Sequence, residues 1–456
     1  MRNAANRLHL PGPARPAAAL TALVVAGILA LAGCVSGQGS SGTSAPTGGP
    51  QPGDSAHLTV LSQLGDNPAL QPVLNRLNAA YMKSHPKTKV TIQYLTLDEL
   101  TKTVPSTLAS GSGPDVIDYD ANESTIGSLA NAHLLVPLDT YANSYGWHAK
   151  LTPSTVTRLT YDGHLYGVGR SSEGVGLFYN ADLFRRLGIA APTSYAAMIA
   201  AAQQLKSHGV IPFAFGDKDQ WPSSHLIGAA IHSMVPVNTI KAVETLAGHG
   251  RWTDPAIVSA IATAAGWVKD GYVTPDFNGV SFAQAEGEFY TGKAGMFVEG
   301  TGVVPDLEAN MAHVDVRFLP FPMKDPSAKQ QMEGGLGGAW AITTASNAPA
   351  VAADWINFVH FSPEAQRAWL AAGVLPTTST SSTPSGLSAL IKDSLQVTQA
   401  AQADGGVGFW TGYASSPLVT DAWNSGAQVV LSGQQSAAAF ANNLQDALDQ
   451  ARSGGK

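Results

Sequence analysis

The alternation of short strand patterns with longer helical patterns, which begins at residue 58, most restricts the folds open to this chain. "LTVLSQL" (58–64) is typical of a buried strand, "KVTIQYL" (89–95) alternates apolar and polar residues, and "PDVIDY" (114–119) contains a third strand. Between the first two strands, apolar residues recur at helical spacing at Leu70, Val73, Leu74, Leu77 and Tyr81. The order β-α-β-α-β predicts a mainly parallel sheet flanked by helices.

The same pattern returns in the second half of the chain. "GLFYNADLF" (176–184) predicts a strand that enters a helix, and "GGAWAITTA" (337–345) predicts another strand. Helices are predicted to begin at Asp254-Pro255 and at Ser362-Pro363, where an N-cap residue precedes a proline in the first turn. The fold class is therefore α/β. A chain of 456 residues is long enough for two or three domains of the usual ~100–200 residues.

Residues 1–33 have the three parts of a lipoprotein signal peptide. Arginines without acidic residues come first, the apolar stretch "AAALTALVVAGILALA" (17–32) follows, and "LAGC" (31–34) matches the lipobox of bacterial lipoproteins. The apolar stretch is shorter than the ~20 residues of a membrane-spanning helix. We predict cleavage before Cys34, a lipid on its thiol, and a flexible tether rich in Gly, Ser and Pro at 34–56.

Charge and motif content argue against several classes of protein. Cys34 is the only cysteine, so the chain has no intrachain disulfide and no cysteine-based zinc site. The formal net charge of −7 argues against nucleic acid as a partner. The sequence contains no Gly-x-Ser-x-Gly elbow, no Gly-x-x-x-x-Gly-Lys-Ser/Thr loop and no His-Glu-x-x-His pair. We therefore expect neither an enzyme nor a metal or cofactor, and we also expect a monomer.

Several segments together, in their order along the chain, resemble a known family. They include "LASGSGPDVIDYD" (108–120), "LFYNADLFRRLGIAAPTSYAAMIAAAQQLKSHGVIPFAF" (177–215), "FYTGKAGMFVEG" (289–300) and "AADWINFVHFSPEAQRAWLAAGVLP" (352–376). In these segments the chain is similar to the extracellular solute-binding proteins of ABC transporters, specifically to the sugar-binding group that includes maltose-binding proteins. Two segments depart from the pattern of that group: Tyr195-Ala196-Ala197 and Thr301-Gly302 stand where relatives often have tryptophan or acidic residues.

The resemblance implies a type II periplasmic-binding-protein-like fold with two lobes, joined by a hinge that the chain crosses three times. We place the crossings near 169–173, 297–300 and 344–349. The N-terminal lobe would then comprise 57–170 plus 300–346, and the C-terminal lobe 171–299 plus 347–456. The resemblance also implies that a carbohydrate binds between the lobes and passes to the membrane permease subunits of an ABC importer. The lipid on Cys34 would hold the protein on the extracytoplasmic face of the cell membrane.

The resemblance and the strand ends together give a set of candidate ligand contacts. Carboxylates and amides accept hydrogen bonds from sugar hydroxyls, aromatic faces cover sugar rings, and glycine allows the backbone to approach a ligand. The candidates are Gln63, Asp66, Asp118, Tyr119, Asp120, Glu173, Trp221, Glu299, Gly335, Trp410 and Tyr413.

Structural roles remain open for most of these residues. Asp118 and Asp120 are each about as consistent with solvated acids as with ligands, and Tyr119 is also compatible with strand core. Glu173 fits a hinge ion pair, and Trp221 fits a lid over a core. Trp410 and Tyr413 are equally suited to helix packing. Asp115 is expected to shape the turn after Pro114.

Two other functions stay open at the level of sequence. A secreted glycoside-acting enzyme would need two carboxylates facing each other across the scissile bond, and Asp118 with Glu173 or Glu299 meets that requirement in residue type. A binder of a polyamine, an osmolyte or a metal chelate would use the same acids, and Trp221 and Trp410 would suit a cation.

Overall fold

We describe residues 51–378, 385–403 and 406–454 of a computed structural model. The predicted signal peptide (1–33), Cys34 and most of the predicted tether lie outside the described residues. Residues 51–55 of that tether are exposed and precede the first strand, which begins at Ala56. In the described ranges, no helix is long and apolar enough to cross a membrane.

The described residues alternate strands and helices. The strands are β1 (Ala56–Ser62), β2 (Thr88–Tyr94), β3 (Val116–Tyr119), β4 (Thr160–Tyr161), β5 (His164–Leu165), β6 (Val168–Asn180), β7 (Ile211–Ala214), β8 (Ala294–Gly300), β9 (Val316–Pro320) and β10 (Gly334–Ile342). The strands predicted at 58–64, 89–95, 114–119 and 337–345 are confirmed to within three residues at each end, whereas the strand predicted from Gly176 begins eight residues earlier, at Val168.

Helices connect most of the strands and make up the C-terminal part of the described chain. The α-helices are α1 (Gln71–Ser84), α2 (Leu97–Ala109), α3 (Ser128–Asn131), α4 (Asp139–Tyr145), α5 (Trp147–Lys150), α6 (Pro153–Arg158), α7 (Ala181–Leu187), α8 (Tyr195–Ser207), α9 (Pro222–Met234), α10 (Val237–Glu244), α11 (Pro255–Lys269), α12 (Phe282–Tyr290), α13 (Val304–Asn310), α14 (Pro349–Ile356), α15 (Pro363–Ala371), α16 (Ala389–Ala403), α17 (Pro417–Leu431) and α18 (Ala437–Gly454). Short 3-10 helices span Pro68–Leu70, Phe277–Gly279, Thr301–Val303 and Thr411–Tyr413, and π-helical turns span Glu123–Gly127 and Asn357–Phe361.

The central sheet has the strand order β2-β1-β3-β10-β6-β8-β7, and β9 also pairs with β6. Parallel pairs join β1 to β2, β1 to β3, and β7 to β8. The pairs that involve β10 and β6 are antiparallel. The α/β class is confirmed. The sheet is mixed because β6 and β10, which lie in its middle, run antiparallel to the strands beside them.

The long strand β6 connects two differently packed halves of the sheet. Its first half, from Val168 to Gly174, pairs with β10, whereas its second half, from Val175 to Asn180, pairs with β8 and β9. The first half borders a core built mainly from residues 58–168, and the second half borders a core built mainly from residues 175–298. The predicted crossing at 169–173 therefore lies within β6.

The packing of the later segments differs from the predicted division into 57–170 plus 300–346 and 171–299 plus 347–456. Trp355 of α14 and Trp369 of α15 lie in the core of the first half. Trp355 packs edge-to-face on Trp340, with ring centroids 5.4 Å apart. Val316 and Phe318 instead pack in a third cluster against the second half of β6. The reason is strand pairing, since β10 joins β3 whereas β9 joins the far end of β6.

Candidate ligand-binding cavity

A cavity opens where β1, β3 and β8 end, beside the middle of β6, and its space together with the open mouth amounts to about 670 Å³. The lining residues come from both halves of the sheet: Gln63, Asp66, Asn67, Leu97, Asp120, Glu173, Trp221, His225, Phe282, Glu299, Gly300, Gly302, Val303, Gly337, Trp410 and Tyr413.

Gln63 and Asp120 reach the cavity from neighbouring strand ends. Because β1 and β3 are parallel, with Ser62 opposite Asp118, the residues that follow each strand emerge side by side. The Gln63 side chain is 6% exposed, and its Nε2 donates to the carbonyl of Gly337. Its Oε1 accepts no hydrogen bond in the described residues.

Burial is the largest influence on the pKa of Asp120. It raises the pKa of this carboxyl, and the neighbouring carboxylate of Glu173 raises it further, to about 7. A hydrogen bond from Gln63 and the charge of Arg170 act in the opposite direction. Asp120 therefore changes protonation near neutral pH.

The loop after β1 adds a second acid to the cavity. Asp66 Oδ2 accepts a hydrogen bond from the backbone N–H of Leu97 at 2.7 Å. Burial, the largest influence, raises the pKa of Asp66 to about 6. The neighbouring Asn67 precedes the 3-10 helix Pro68–Leu70 but makes no side-chain cap. Its Nδ2 donates instead to the carbonyl of Gly302 at 3.2 Å, which ties this loop to the segment after β8.

Glu173 enters the cavity from the middle of β6. Its Oε1 accepts a hydrogen bond from Ser171 Oγ at 2.6 Å. A Cβ atom at Gly337 would lie 1.6 Å from that Oε1, so this carboxylate fits only because residue 337 is glycine. The glycine-rich start of β10 thus makes room for an acid of the site.

Glu299, at the end of β8, is paired with His225 of α9. Its Oε1 accepts from the backbone N–H of Gly300 at 2.8 Å and bonds His225 Nδ1. Burial by itself would lower the pKa of His225. The charge and hydrogen bond of Glu299, helped by Glu333 and Glu173, outweigh burial and raise that pKa to about 9. At neutral pH His225 is therefore a cation bonded to Glu299.

Aromatic side chains form the remaining wall. Trp221, which immediately precedes α9, packs on Phe282 with ring centroids 4.5 Å apart. Trp410 donates its Nε1–H to the carbonyl of Leu336 at 2.9 Å, and its ring lies 5.2 Å from that of His225. Tyr413 completes this wall, and burial followed by the charge of Asp120 raises its pKa well above the ordinary value. Fixed aromatic faces beside acceptors suit a ligand with a flat apolar face and polar edges.

Three candidates, Asp118, Tyr119 and Gly335, lie away from the cavity. Asp118 has no exposed surface, and it accepts from Arg170 Nε at 3.0 Å and from Ser62 Oγ at 2.7 Å. Tyr119 points to the other face of β3, where its hydroxyl donates to Thr101 at 3.2 Å. The alternation of side chains along a strand separates the two.

Gly335, the glycine predicted from the sequence, does not line the cavity; the lining glycine is two positions later. Gly335 borders a second groove beside Arg158 and Lys241, whereas Gly337 lines the cavity. Asp115 accepts from the backbone N–H of Thr59 at 2.8 Å, in keeping with its expected role in the turn.

Several lining residues carry no signal in the sequence. His225 lies on α9, where nearly every residue is buried, so it resembles an ordinary core position. Leu97 and Phe282 begin helices and Val303 ends a 3-10 helix, and apolar residues at such positions are typical of a protein core. Among the described residues, no group of three or more His, Cys, Asp or Glu is arranged to hold a metal ion.

Comparisons with known proteins identify relatives of this chain. A family model described as bacterial extracellular solute-binding protein matches residues 77–399. An uncharacterized ABC transporter extracellular-binding protein of Pyrococcus horikoshii is 23% identical over 227 residues, which are 48% of this chain and 49% of that protein. The chain thus matches about half the length of this curated relative.

Solved structures share the fold over nearly the whole chain. A chitin oligosaccharide binding protein superposes with a TM-score of 0.75 at 20% identity, covering 88% of this chain and 100% of that one. The maltose/maltodextrin-binding domain of Bdellovibrio bacteriovorus bound to maltotriose gives a TM-score of 0.69 at 18% identity, over 86% and 99% of the two chains. At these identities the likeness establishes a common fold.

Proposed function

The chain belongs to the family of bacterial extracellular solute-binding proteins, and on that premise we propose that it captures a carbohydrate and delivers it to an ABC importer. The ligand is a mono- or oligosaccharide, and it occupies the cavity between the two halves of the sheet. The observation that carries the proposal is the composition of this cavity, in which Asp66, Asp120 and Glu299 stand beside Trp221 and Trp410.

The chemistry of a sugar matches both kinds of wall. Its hydroxyls donate to the carboxylates, and hydrogen bonds to a charged group contribute about 1.5–3 kcal/mol each. Its ring face packs on Trp221 or Trp410. The fold neighbours whose names include chitin oligosaccharide and maltotriose support this ligand class. The name of the Pyrococcus relative supports delivery to an ABC transporter.

Binding without turnover is the role that the family supports, because its members are named for solute binding. We propose that the two halves of the sheet move about the middle of β6 and close over the sugar. Incubation with oligosaccharides followed by chromatography tests the rival enzyme, since a binder returns its ligand unchanged.

Thermal-shift screening across a panel of sugars tests the ligand class, because a ligand that binds only the folded state raises its stability. Calorimetry with the best sugar then locates the site. We expect Asp120→Ala and Trp221→Ala each to weaken binding about 10- to 100-fold, since about 1.4 kcal/mol corresponds to tenfold. Tyr119→Phe, outside the cavity, is the control. Wild-type affinity in both cavity variants would place the site elsewhere.

We further propose that a lipid on Cys34 holds the protein on the extracytoplasmic face of the cell membrane. The support is the position of the only cysteine at the end of "LAGC" (31–34). Cys34→Ser should move the protein from the membrane fraction to the soluble fraction. Unchanged partitioning into detergent would contradict the anchor.

A further inference from the structure

One ion pair connects the two halves of the molecule outside the cavity. Arg158 Nη1 donates to Glu244 Oε1 at 2.8 Å. Arg158 is the last residue of α6, and the next residue, Leu159, packs in the core of the first half. Glu244 is the last residue of α10, and the preceding Val243 packs in the core of the second half. Neither Arg158 nor Glu244 lines the cavity, so the pair joins the halves without facing a ligand.

The other lysine and arginine ion pairs between described residues each lie within one half. They are Asp98–Lys102 and Asp118–Arg170 in the first half, and Asp182–Arg185, Asp315–Arg185 and Asp393–Arg317 in the second. Among these described pairs, only Arg158–Glu244 would break if the halves separated. Its side chains are 24% and 21% exposed. A fully buried pair is costly to break and a fully exposed pair contributes little, so this intermediate burial suits a contact that forms and breaks.

Arg158 also contacts the segment that supplies the aromatic wall. Its Nη2 donates to the carbonyl of Gly408, two residues before Trp410. Trp410 in turn donates to the carbonyl of Leu336, which packs in the core of the first half. A Cβ atom at Gly335 would lie 3.3 Å from Trp410 Nε1 and 3.9 Å from Arg158 Cζ. The guanidinium therefore lies beside the indole that forms a cavity wall, although it does not line the cavity itself.

Arg158 has a second acidic neighbour in its own half. This acid is Glu123, in the π-helical turn whose Ile126 packs in the core of the first half. Burial and then the charge of Glu244 raise the pKa of Glu123, whereas the charge of Arg158 lowers it. If the halves separate, Arg158 loses Glu244 but keeps this acid in its surroundings. Opening therefore does not leave the cation without an opposite charge, and the contact across the halves is reversible.

We propose that Arg158 and Glu244 form a latch that stabilises the closed arrangement of the two halves and thereby sets the affinity of the cavity without touching the ligand. The inference rests on the proposed function, because it requires that the halves close over a ligand. A ligand that needs the closed form binds with an affinity reduced in proportion to the fraction of closed molecules. Removing the latch lowers this fraction, so it weakens all ligands of the cavity by a similar factor.

Variants of the latch are tested at pH 7 in the full-length protein. Calorimetry uses glucose, maltotriose, raffinose and a chitin disaccharide as probes, and small-angle scattering measures the radius of gyration without ligand. We expect Arg158→Met and Glu244→Gln each to weaken every probe that binds by about 5- to 20-fold, the size of a typical coupling between distant sites. Both variants should also increase the radius of gyration. The exchange of charges, Arg158→Glu with Glu244→Arg, should recover most of the lost affinity.

Arg317→Met is the matched control, because it removes an ion pair that lies within the second half. It should leave both the affinities and the radius of gyration as in wild type. A control that weakens the probes as much as Arg158→Met would mean that general stability, and not the contact between the halves, sets the affinity, and would overturn the latch.

The outcomes separate this inference from the proposed function. If probes bind and Arg158→Met leaves their affinities within about twofold of wild type, the latch is wrong and the sugar binder remains. If Arg158→Met weakens one probe and leaves another unchanged, Arg158 acts on the ligand itself and the latch is again wrong. If no probe binds but the latch variants expand the ligand-free protein, the latch stands and the carbohydrate proposal fails. If no probe binds and the radius of gyration does not change, both proposals fail.

Discussion

Asp118 and Asp120 are two residues apart at the end of the same strand, and the tertiary structure gives them opposite environments. Asp118 is sealed from solvent and bonded to Arg170 and Ser62. Asp120 lines the cavity, where the like-charged Glu173 is the charged group with the largest effect on its pKa. The comparison teaches that the partner of an acid, and not its position on the strand, decides whether it is sealed in the fold or lines the cavity.

The carbonyl of Gly337 connects the surroundings of these two acids. It accepts hydrogen bonds from both Gln63 and Arg170, so it joins the ion pair of Asp118 to a residue that lines the cavity. The ion pair thereby helps to fix the orientation of the Gln63 amide. A precise site generally needs buried polar partners that hold its cavity-facing residues in place.

The largest expected effect is on stability when Asp118 is removed. Asp118→Ala leaves the guanidinium of Arg170, almost fully buried, without its carboxylate. Removing one partner of a buried ion pair costs about 3–5 kcal/mol. We expect a loss of this size in the free energy of unfolding, measured by urea denaturation at pH 7.

Ser62→Ala is the matched control for that measurement. It removes the hydrogen bond that the Ser62 hydroxyl donates to the Asp118 carboxylate and leaves the ion pair intact, so a smaller loss of about 1.5–3 kcal/mol is expected. A stability of Asp118→Ala within 1 kcal/mol of wild type would remove the distinction between the two acids.

A smaller effect on stability is expected for Asp120→Asn, and at pH 8 this substitution should not destabilise the protein. The pKa of Asp120 in the folded protein is about 7, above the ordinary 3.8. Between these values the folded state holds more protons than the unfolded state, so the ligand-free protein loses stability as the pH rises. One such proton corresponds to about 1.4 kcal/mol per pH unit at most. Above pH 7 the carboxylate is charged and this contribution is gone.

Urea denaturation at several pH values between 5 and 8 checks this sign. Asp66 contributes in the same direction, because its pKa is raised to about 6, so the informative quantity is the difference between wild type and variant. We expect a shallower pH dependence in Asp120→Asn and a stability at pH 8 that equals or exceeds that of wild type. Parallel curves would show that Asp120 does not titrate in this window.

The smallest effect is expected for Tyr119, which lies between the two acids but faces the opposite side of β3. Tyr119→Phe removes the hydrogen bond to Thr101 and keeps the buried ring. A loss of about 0.5–1.5 kcal/mol of stability is expected, with ligand affinity unchanged in calorimetry. A tenfold weaker ligand would mean that both faces of the strand contribute to the site.

Much of the fold is contained in local patterns. The family resemblance and the α/β class are confirmed, and the strands predicted at 58–64, 89–95 and 114–119 begin and end close to β1, β2 and β3. Such predictions succeed because periodicity and capping act over a few residues. The mixed pairing of β6 and β10 could not be predicted, since it depends on which distant strands meet.

The candidate site shows the same limit at the level of single residues. The sequence by itself determined that acids follow β1 and β3 and that glycines begin β10. Only the tertiary structure decided that Arg170 pairs with Asp118 and leaves Asp120 free, that Gly337 and not Gly335 borders the cavity, and that His225 belongs to it. The physical reason is that pairing and burial of charges arise between residues far apart in the chain, 52 positions for Asp118 and Arg170 and 274 for Gln63 and Gly337. No local pattern specifies which of two neighbouring acids such a partner reaches.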